Sequence, residues 1–228
     1  MNKTYTIQVR GIVQGVGFRP FVFNLAKKHD ISGYILNNSI GVKIKAQGIE
    51  SNLKNFKTEL KDKSPPNSVI KAMNTNKEEN QKEVFNNFQI KYSQNKSDKN
   101  TQISPDLNVC QNCLEELLDP EDRRYLYPFI NCTNCGPRFT IIKDIPYDRI
   151  HTTMNEFDTC SDCGNEYNNP SNRRFHAQPN SCFECGPTLE LYDNSENLVK
   201  SAVDAETAEE LFKTMAGYFK EGKILSIK

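Results

Sequence analysis

The chain contains eight cysteines, and every one of them belongs to a Cys-x-x-Cys pair. A shift of 50 positions places the first four cysteines on the last four, and it also aligns Arg123-Arg124 with Arg173-Arg174. The sequence therefore predicts a duplicated module of two four-cysteine units, a pattern typical of tetrahedral metal sites. The pairs are Cys110/Cys113, Cys132/Cys135, Cys160/Cys163 and Cys182/Cys185.

Within each unit, eighteen residues separate the two pairs, so that two turns can enclose one ion. We predict two structural Zn²⁺ ions, because four thiolates leave no open position for water. Iron fits the same cage, and pairing across the repeats is the alternative to pairing within them. One ion is expected on Cys110, Cys113, Cys132 and Cys135, and the other on Cys160, Cys163, Cys182 and Cys185.

The alternative to a metal is a disulfide framework, which belongs to oxidising compartments. The first five residues lead directly into a strand-like alternation and not into a signal peptide. We therefore expect a cytoplasmic chain with reduced thiols, which favours the metal. His29, His151 and His176 have no partner pattern and are interpreted as residues that do not bind metal.

The second cysteine unit has few apolar side chains with which to form a hydrophobic core. Between Met154 and Leu189 there is no Ile, Leu, Val or Met. A structural zinc ion contributes roughly 10–16 kcal/mol of apparent binding free energy, whereas whole domains are stable by only about 5–15 kcal/mol. We expect the metal to decide whether this region folds.

Lys and Arg balance Asp and Glu, 29 against 29. Eight thiolates around two divalent ions add about four negative charges, which argues against a nucleic-acid partner held by phosphate neutralisation. No apolar run approaches the roughly 20 residues that a membrane span needs. Composition thus favours a chain without a membrane or nucleic-acid partner.

Residues 4–92 alternate between strand-like and helix-like periodicities. Tyr5, Ile7 and Val9 alternate with polar residues, which predicts a half-buried strand. The order β-α-β-β-α-β predicts a ferredoxin-like α+β sandwich. The later elements are a helix from Phe18, strands at 34–36 and 42–46, a helix at 49–62, and strands at 69–73 and 85–92.

We predict a domain at 1–92, a linker at 93–103, the cysteine module at 104–192 and a further segment at 193–228. Residues 93–102 contain no apolar residue, as is typical of a linker. The last segment reads as a helix followed by an apolar strand at 224–228, and such a strand would expose an edge. We expect either that a longer parent protein continues beyond it or that this end of the chain is disordered.

The loop between the first strand and the first helix has the composition of a phosphate cradle. Glycines at 15 and 17 let successive N–H groups converge beside a helix N-terminus, and Arg19 can grip an oxyanion with two hydrogen bonds. A glycine turn with a surface arginine is the alternative. Asn37 ends the second predicted strand and could hold a water, or could simply belong to a turn.

Residues 9–20 resemble the signature of the acylphosphatases, and residues 33–37 are similar to that family's second signature. The second glycine and Pro20 depart from small stand-alone acylphosphatases and resemble instead the HypF family, the carbamoyltransferases that mature nickel–iron hydrogenases. Residues 127–140, 146–149 and 173–179 resemble the HypF zinc-finger signature, and the last segment resembles the start of a YrdC-like domain.

The resemblance implies a fold, a reaction and a set of site residues. The first domain would hydrolyse carbamoyl phosphate to carbamate and phosphate, as an acylphosphatase-type hydrolase. Arg19 and Asn37 would be catalytic, with Asn37 positioning the attacking water. The phosphate would be bound by Gly15, Val16, Gly17, Phe18 and Arg19.

In longer members of that family, the resemblance implies that ATP activates carbamate in the YrdC-like domain and that a HypE-type partner accepts the carbamoyl group. Complete transfer is not expected from this chain alone. Two alternatives stay open: a stand-alone acylphosphatase with an unrelated zinc domain, and a zinc-dependent module that binds protein or nucleic acid.

Overall fold

The structure of the protein is a computed structural model that describes residues 2–79, 83–93 and 102–227. The chain divides into two compact units, each built from several stretches of sequence. Unit 1 comprises Met1–Asn108, Cys132–Glu156 and Asn165–Pro179, and unit 2 comprises Val109–Asn131, Phe157–Gly164 and Asn180–Lys228. The predicted domain boundaries stay a prediction, and the predicted linker at 93–103 lies mostly outside the described residues.

Unit 1 contains a five-stranded sheet in the order β4-β1-β3-β2-β5. The β1–β3, β1–β4 and β2–β3 pairs are antiparallel, and β5 runs parallel to β2 at the edge. This is the predicted β-α-β-β-α-β order, followed by the short strand β5, which lies within the strand predicted at 85–92. The elements are β1 (Lys3–Ile12), α1 (Phe18–Lys28), β2 (Ser32–Asn38), β3 (Gly41–Gly48), α2 (Glu50–Asp62), β4 (Val69–Lys77) and β5 (Phe88–Ile90).

One hydrophobic core joins the two helices to alternate residues of the strands. Ile7 and Val9 of β1 are fully buried, whereas Thr6 and Gln8, on either side of Ile7, are only partly covered, as the alternation predicts. The helices predicted from Phe18 and at 49–62 are confirmed as α1 and α2, except that Ile49 lies before α2 and is half exposed. Strand β5 is shorter than predicted because β2 pairs with it only over three residues.

Two eight-residue helices reproduce the 50-residue repeat of the sequence: α3 (Gln111–Leu118) and α4 (Ser161–Asn168). Unit 2 also contains the antiparallel pair β6 (Leu189–Tyr192) and β7 (Leu198–Ala202), followed by α5 (Ala205–Lys220). The strand predicted at 224–228 is wrong over its described part, because residues 224–227 pair with no other strand.

No helix within the described ranges has the length and the apolar character that crossing a membrane requires.

Gly33 in β2 supports a specific prediction about stability. Its φ is +133°, and a Cβ at this position would overlap the carbonyl oxygen of Lys45 on β3. We expect Gly33→Ala to lower the free energy of unfolding by at least about 2 kcal/mol, measured by urea denaturation. Gly217→Ala is the matched control, because nothing lies within 4 Å of its Cβ position in α5. Equal stability of the two variants would contradict the prediction.

Candidate functional site

The loop that joins β1 to α1 presents a group of unpaired backbone donors. Gly15 and Gly17 have φ values of +74° and +75°, in the left-handed region that favours glycine. The side chains of Val16 and Phe18 are buried in the core. In the described part of the chain, the N–H groups of residues 15–19 have no hydrogen-bond acceptor. Such a concave group of donors at a helix N-terminus can bind an anion.

Arg19 lies in the first turn of α1, and its side chain is buried. Its Nη1 donates to Oδ1 of Asp148 at 2.6 Å, and its Nη2 donates to the carbonyl oxygen of Tyr147 at 3.2 Å. A guanidinium carries five N–H donors, and the described residues engage two of them. Three donors therefore remain for a ligand, enough for a two-point grip on a phosphate.

Asn37, near the end of β2, is completely buried. Its Nδ2 donates to the carbonyl oxygen of Tyr147 at 3.3 Å, the same atom that Arg19 contacts. Its Oδ1 has no hydrogen-bond partner among the described residues. The two predicted catalytic side chains are therefore held together on one peptide group, and the amide of Asn37 keeps one acceptor unused.

Gln14 connects the loop to this peptide group. Its Nε2 donates to the carbonyl oxygens of Asn38 at 2.9 Å and Gly41 at 2.7 Å, and its Oε1 accepts from the N–H of Tyr147 at 2.9 Å. The buried side chain of Gln14 thus ties the β2–β3 turn and the segment around Tyr147 to the loop. Gln14 lies within the signature at residues 9–20, but the sequence alone assigned it no role.

Residues of the segment 132–156 pack directly on the two loop glycines. A Cβ added to Gly15 would lie 2.9 Å from Pro137 and 3.1 Å from the ring of Tyr147, and one on Gly17 would lie 3.3 Å from Thr133. Burial raises the pKa of the Tyr147 phenol, so the ring stays neutral. The loop needs glycine here for close packing as well as for its backbone angles.

Sequence reasoning missed Tyr147 and Asp148 as parts of this site. Both lie in residues 146–149, which were assigned to the finger signature and not to the phosphate loop. The carboxylate of Asp148 also accepts a hydrogen bond from Oγ of Ser93, which precedes the stretch outside the described residues. The resemblance of residues 146–149 to the finger signature was the only signal, because Arg19 and Asp148 are 129 positions apart.

The eight cysteines form two groups of four, and in each group the sulfurs lie within 4.8 Å of one another. The groups are those predicted within each repeat and not across them: Cys110, Cys113, Cys132 and Cys135, and Cys160, Cys163, Cys182 and Cys185.

The geometry of the sulfurs tests whether a metal fits. All eight cysteines are free of disulfides. The Sγ–Sγ distances are 3.9 Å for Cys132–Cys135, 3.8 Å for Cys182–Cys185 and 3.7 Å for Cys160–Cys182. Tetrahedral bonds of about 2.3 Å to a zinc ion require sulfurs about 3.8 Å apart. The groups therefore fit a four-coordinate thiophilic ion, and no histidine belongs to either group as described.

Two arginines of the first repeat contact the cysteine group of the second repeat. Arg123 donates to Sγ of Cys163 at 3.3 Å and Arg124 at 3.5 Å. The buried Arg124 also donates to the carbonyl oxygen of Ser181 and to Oδ1 of Asn180. Cationic donors of this kind offset the negative charge that four thiolates place around a divalent ion.

His176, one of the three histidines that were not expected to bind metal, packs against aromatic rings. Its ring centroid lies 4.8 Å from that of Tyr167 and 4.7 Å from that of Phe175. Burial, and secondarily the positive charge of Arg19, lowers the pKa of His176 to about 4. The imidazole is therefore neutral at neutral pH and adds no charge to the site.

Comparison with known proteins agrees with this geometry. The acylphosphatase family model matches residues 5–90, and the model described as the HypF finger matches twice, at 109–142 and 159–192. The chain belongs to the HypF family. A protein named carbamoyltransferase HypF from Synechocystis sp. is 47% identical over 157 residues, which are 69% of this chain and 20% of that protein.

Two further comparisons, one with a small acylphosphatase and one with a solved structure, show how much of the chain is matched. An acylphosphatase from Thermotoga petrophila is 43% identical over 91 residues, which are 40% of this chain and 98% of the relative. A crystal structure of full-length HypF in the phosphate- and nucleotide-bound form superposes with a TM-score of 0.85 at 44% identity, covering 98% of this chain and 28% of that one. The chain thus spans about a fifth of the length of the curated HypF relatives that it matches.

The two cysteine groups predict a defined metal content. We expect two zinc ions per purified chain, one after Cys113→Ser or Cys182→Ser, and none after both changes, because three thiolates hold zinc far more weakly than four. Elemental analysis by plasma mass spectrometry measures this directly and also distinguishes zinc from iron. Unchanged metal content in either single variant would contradict the assignment of that group.

Proposed function

We propose that this chain hydrolyses carbamoyl phosphate to carbamate and phosphate at the site formed by the β1–α1 loop, Arg19 and Asn37. The observation that carries the proposal is the group of unpaired N–H donors at residues 15–19, beside a guanidinium with three unused N–H groups. These donors suit a small dianion. The membership in the HypF family and the acylphosphatase match at residues 5–90 support the reaction class.

In the proposed mechanism, the phosphoryl group of the substrate sits in the loop, with its non-bridging oxygens on the N–H groups of residues 15–19. Arg19 donates two further hydrogen bonds to the same oxygens. In phosphoryl transfer the charge is spread over these equatorial oxygens in the transition state, so preorganised donors lower the barrier. The loop backbone is already curled, so the donors do not have to reorganise when the substrate binds.

Asn37 orients the nucleophile in this mechanism. Its Nδ2 is occupied by the carbonyl oxygen of Tyr147, which leaves Oδ1 as the free acceptor. A water that donates one hydrogen to Oδ1 keeps a lone pair to direct at phosphorus. The amide cannot remove a proton from water, so its contribution is positioning.

The departure of the leaving group requires little catalytic assistance from the protein. Water adds to phosphorus, the bond from phosphorus to the carbamoyl oxygen breaks, and its electron pair leaves on carbamate. Phosphate and carbamate are released, and the water's proton is shared between phosphate and solvent. Carbamate leaves as a resonance-stabilised, weakly basic anion, so no strong general acid is required; residues 11–20 contain neither a histidine nor a carboxylate.

The two cysteine groups would hold Zn²⁺ as structural ions. Each group supplies four sulfur ligands, so a bound ion has no open position for substrate or water. Their contribution is to fold the segments that carry Thr133, Pro137 and the Tyr147 peptide.

For longer family members, we infer that the carbamate is consumed by an ATP-dependent activation in a YrdC-like domain. The carbamoyl group would then pass to a HypE-type partner in hydrogenase maturation. Both steps lie outside the chemistry that the described site can perform.

Hydrolysis assays with three substrates test the proposal. We expect phosphate release from carbamoyl phosphate, and Arg19→Ala should lower kcat/KM on the order of 100–1000-fold because the transition-state charge loses its cationic donor. Arg10→Ala is the matched control, since Arg10 is an exposed arginine of β1. Acetyl and benzoyl phosphate are assayed in parallel. A preference for benzoyl phosphate would favour a stand-alone acylphosphatase, and no phosphate release from any of them would refute a hydrolase.

Asn37→Ala separates the positioning of water from the binding of substrate. We expect kcat to fall on the order of 100-fold while KM stays within about threefold, because the interaction with the nucleophile is made only on the way to the transition state. Steady-state kinetics with carbamoyl phosphate provide the measurement. A variant with raised KM and unchanged kcat would show that Asn37 binds substrate and does not orient water.

A further inference from the structure

Asp148 contributes a partly buried carboxylate to a site whose predicted residues all lie before position 38. Its Oδ1 accepts from Nη1 of Arg19 at 2.6 Å, and its other oxygen accepts from Oγ of Ser93. The side chains of the ion pair are 9% exposed for Arg19 and 15% exposed for Asp148. An ion pair so shielded from water is strongly directional, unlike the exposed pairs on the surface of the protein.

The peptide group before Asp148 reinforces this contact. The carbonyl oxygen of Tyr147 accepts from both Arg19 and Asn37, and its N–H is fixed by Gln14. Asp148 and Tyr147 therefore engage two different nitrogens of one guanidinium. A planar group held at two nitrogens cannot rotate about its long, flexible stem.

We propose that Asp148 is a positioning residue, which fixes the guanidinium of Arg19 so that two of its remaining N–H groups face the substrate phosphate. This rests on the proposed function, since it assigns a further residue to the same reaction. In this role Asp148 contacts neither the substrate nor the attacking water, and it acts through Arg19. In this arrangement the segment 146–148 completes the phosphate site of the acylphosphatase fold.

The opposite role for Asp148 would be to compete with phosphate for Arg19. The contacts favour positioning for two reasons. The carboxylate is anchored by Ser93 and Arg19, and none of the N–H groups of residues 15–19 donates to it among the described residues. A carboxylate that mimicked phosphate would occupy those donors.

The experiment compares the unaltered chain with Asp148→Asn, Arg19→Ala and the double variant. We expect Asp148→Asn to lower kcat/KM for carbamoyl phosphate by about 10–100-fold and to weaken orthophosphate binding, measured by calorimetry, because Arg19 loses its orientation. In the Arg19→Ala background the same change should alter kcat/KM by less than about twofold, since residues that act through one another are not additive. Asp148→Glu should restore part of the activity.

Asp62→Asn is the matched control, because Asp62 is an exposed aspartate at the end of α2. Thermal unfolding of each variant checks that it folds. If Asp148→Asn does not fold, Ser93→Ala replaces it, with an expected loss of about three- to tenfold that again disappears without Arg19.

Three outcomes would overturn the role of Asp148: activity of Asp148→Asn within twofold of the unaltered chain, an equal loss with and without Arg19, or tighter orthophosphate binding, which would identify a competitor. If the unaltered chain hydrolyses no acyl phosphate, the proposed function fails. Orthophosphate binding then decides the role of Asp148 separately: a loss of affinity on Asp148→Asn supports it and unchanged affinity refutes it.

Discussion

The guanidinium of Arg19 carries its positive charge in a buried position, so the groups around it must stabilise that charge. Leaving one member of a buried ion pair without its partner costs roughly 3–5 kcal/mol. Asp148 and the carbonyl oxygen of Tyr147 provide that compensation from 129 and 128 positions further along the chain. The phosphate loop of the acylphosphatase fold is therefore not an independent part of this molecule. The groups that balance the charge of Arg19 come from a segment that belongs, by sequence, to the cysteine module.

That segment has little apolar surface with which to fold by itself. Between residues 132 and 156 the buried apolar side chains are Cys132, Cys135, Pro137, Pro146, Tyr147 and Met154. Cysteine sulfurs less than 4 Å apart that form no disulfide repel one another as thiolates unless a cation lies between them. Metal binding and the geometry of the phosphate site are thereby linked, because Thr133 and Pro137 beside the sulfur ligands also pack on the loop glycines.

Much of the fold followed from local patterns. The alternation of Ile7 and Val9 with polar neighbours gave β1, and the helical spacing that begins at Phe18 gave α1, because each pattern reports which side of one element is buried. The grouping of cysteines followed from the repeat. Asp148 and Gln14 could not be assigned in this way, since their roles depend on contacts between distant elements and a lone Asp or Gln has no periodicity. The strand predicted near Ile224 failed for a related reason: apolar composition cannot supply the neighbouring strand that a sheet requires.

The two repeats do not have separate surroundings for their sulfurs, because Arg123 and Arg124 of the first repeat donate to Cys163 of the second. Half of the module would keep four cysteines but lose guanidinium groups that offset their charge.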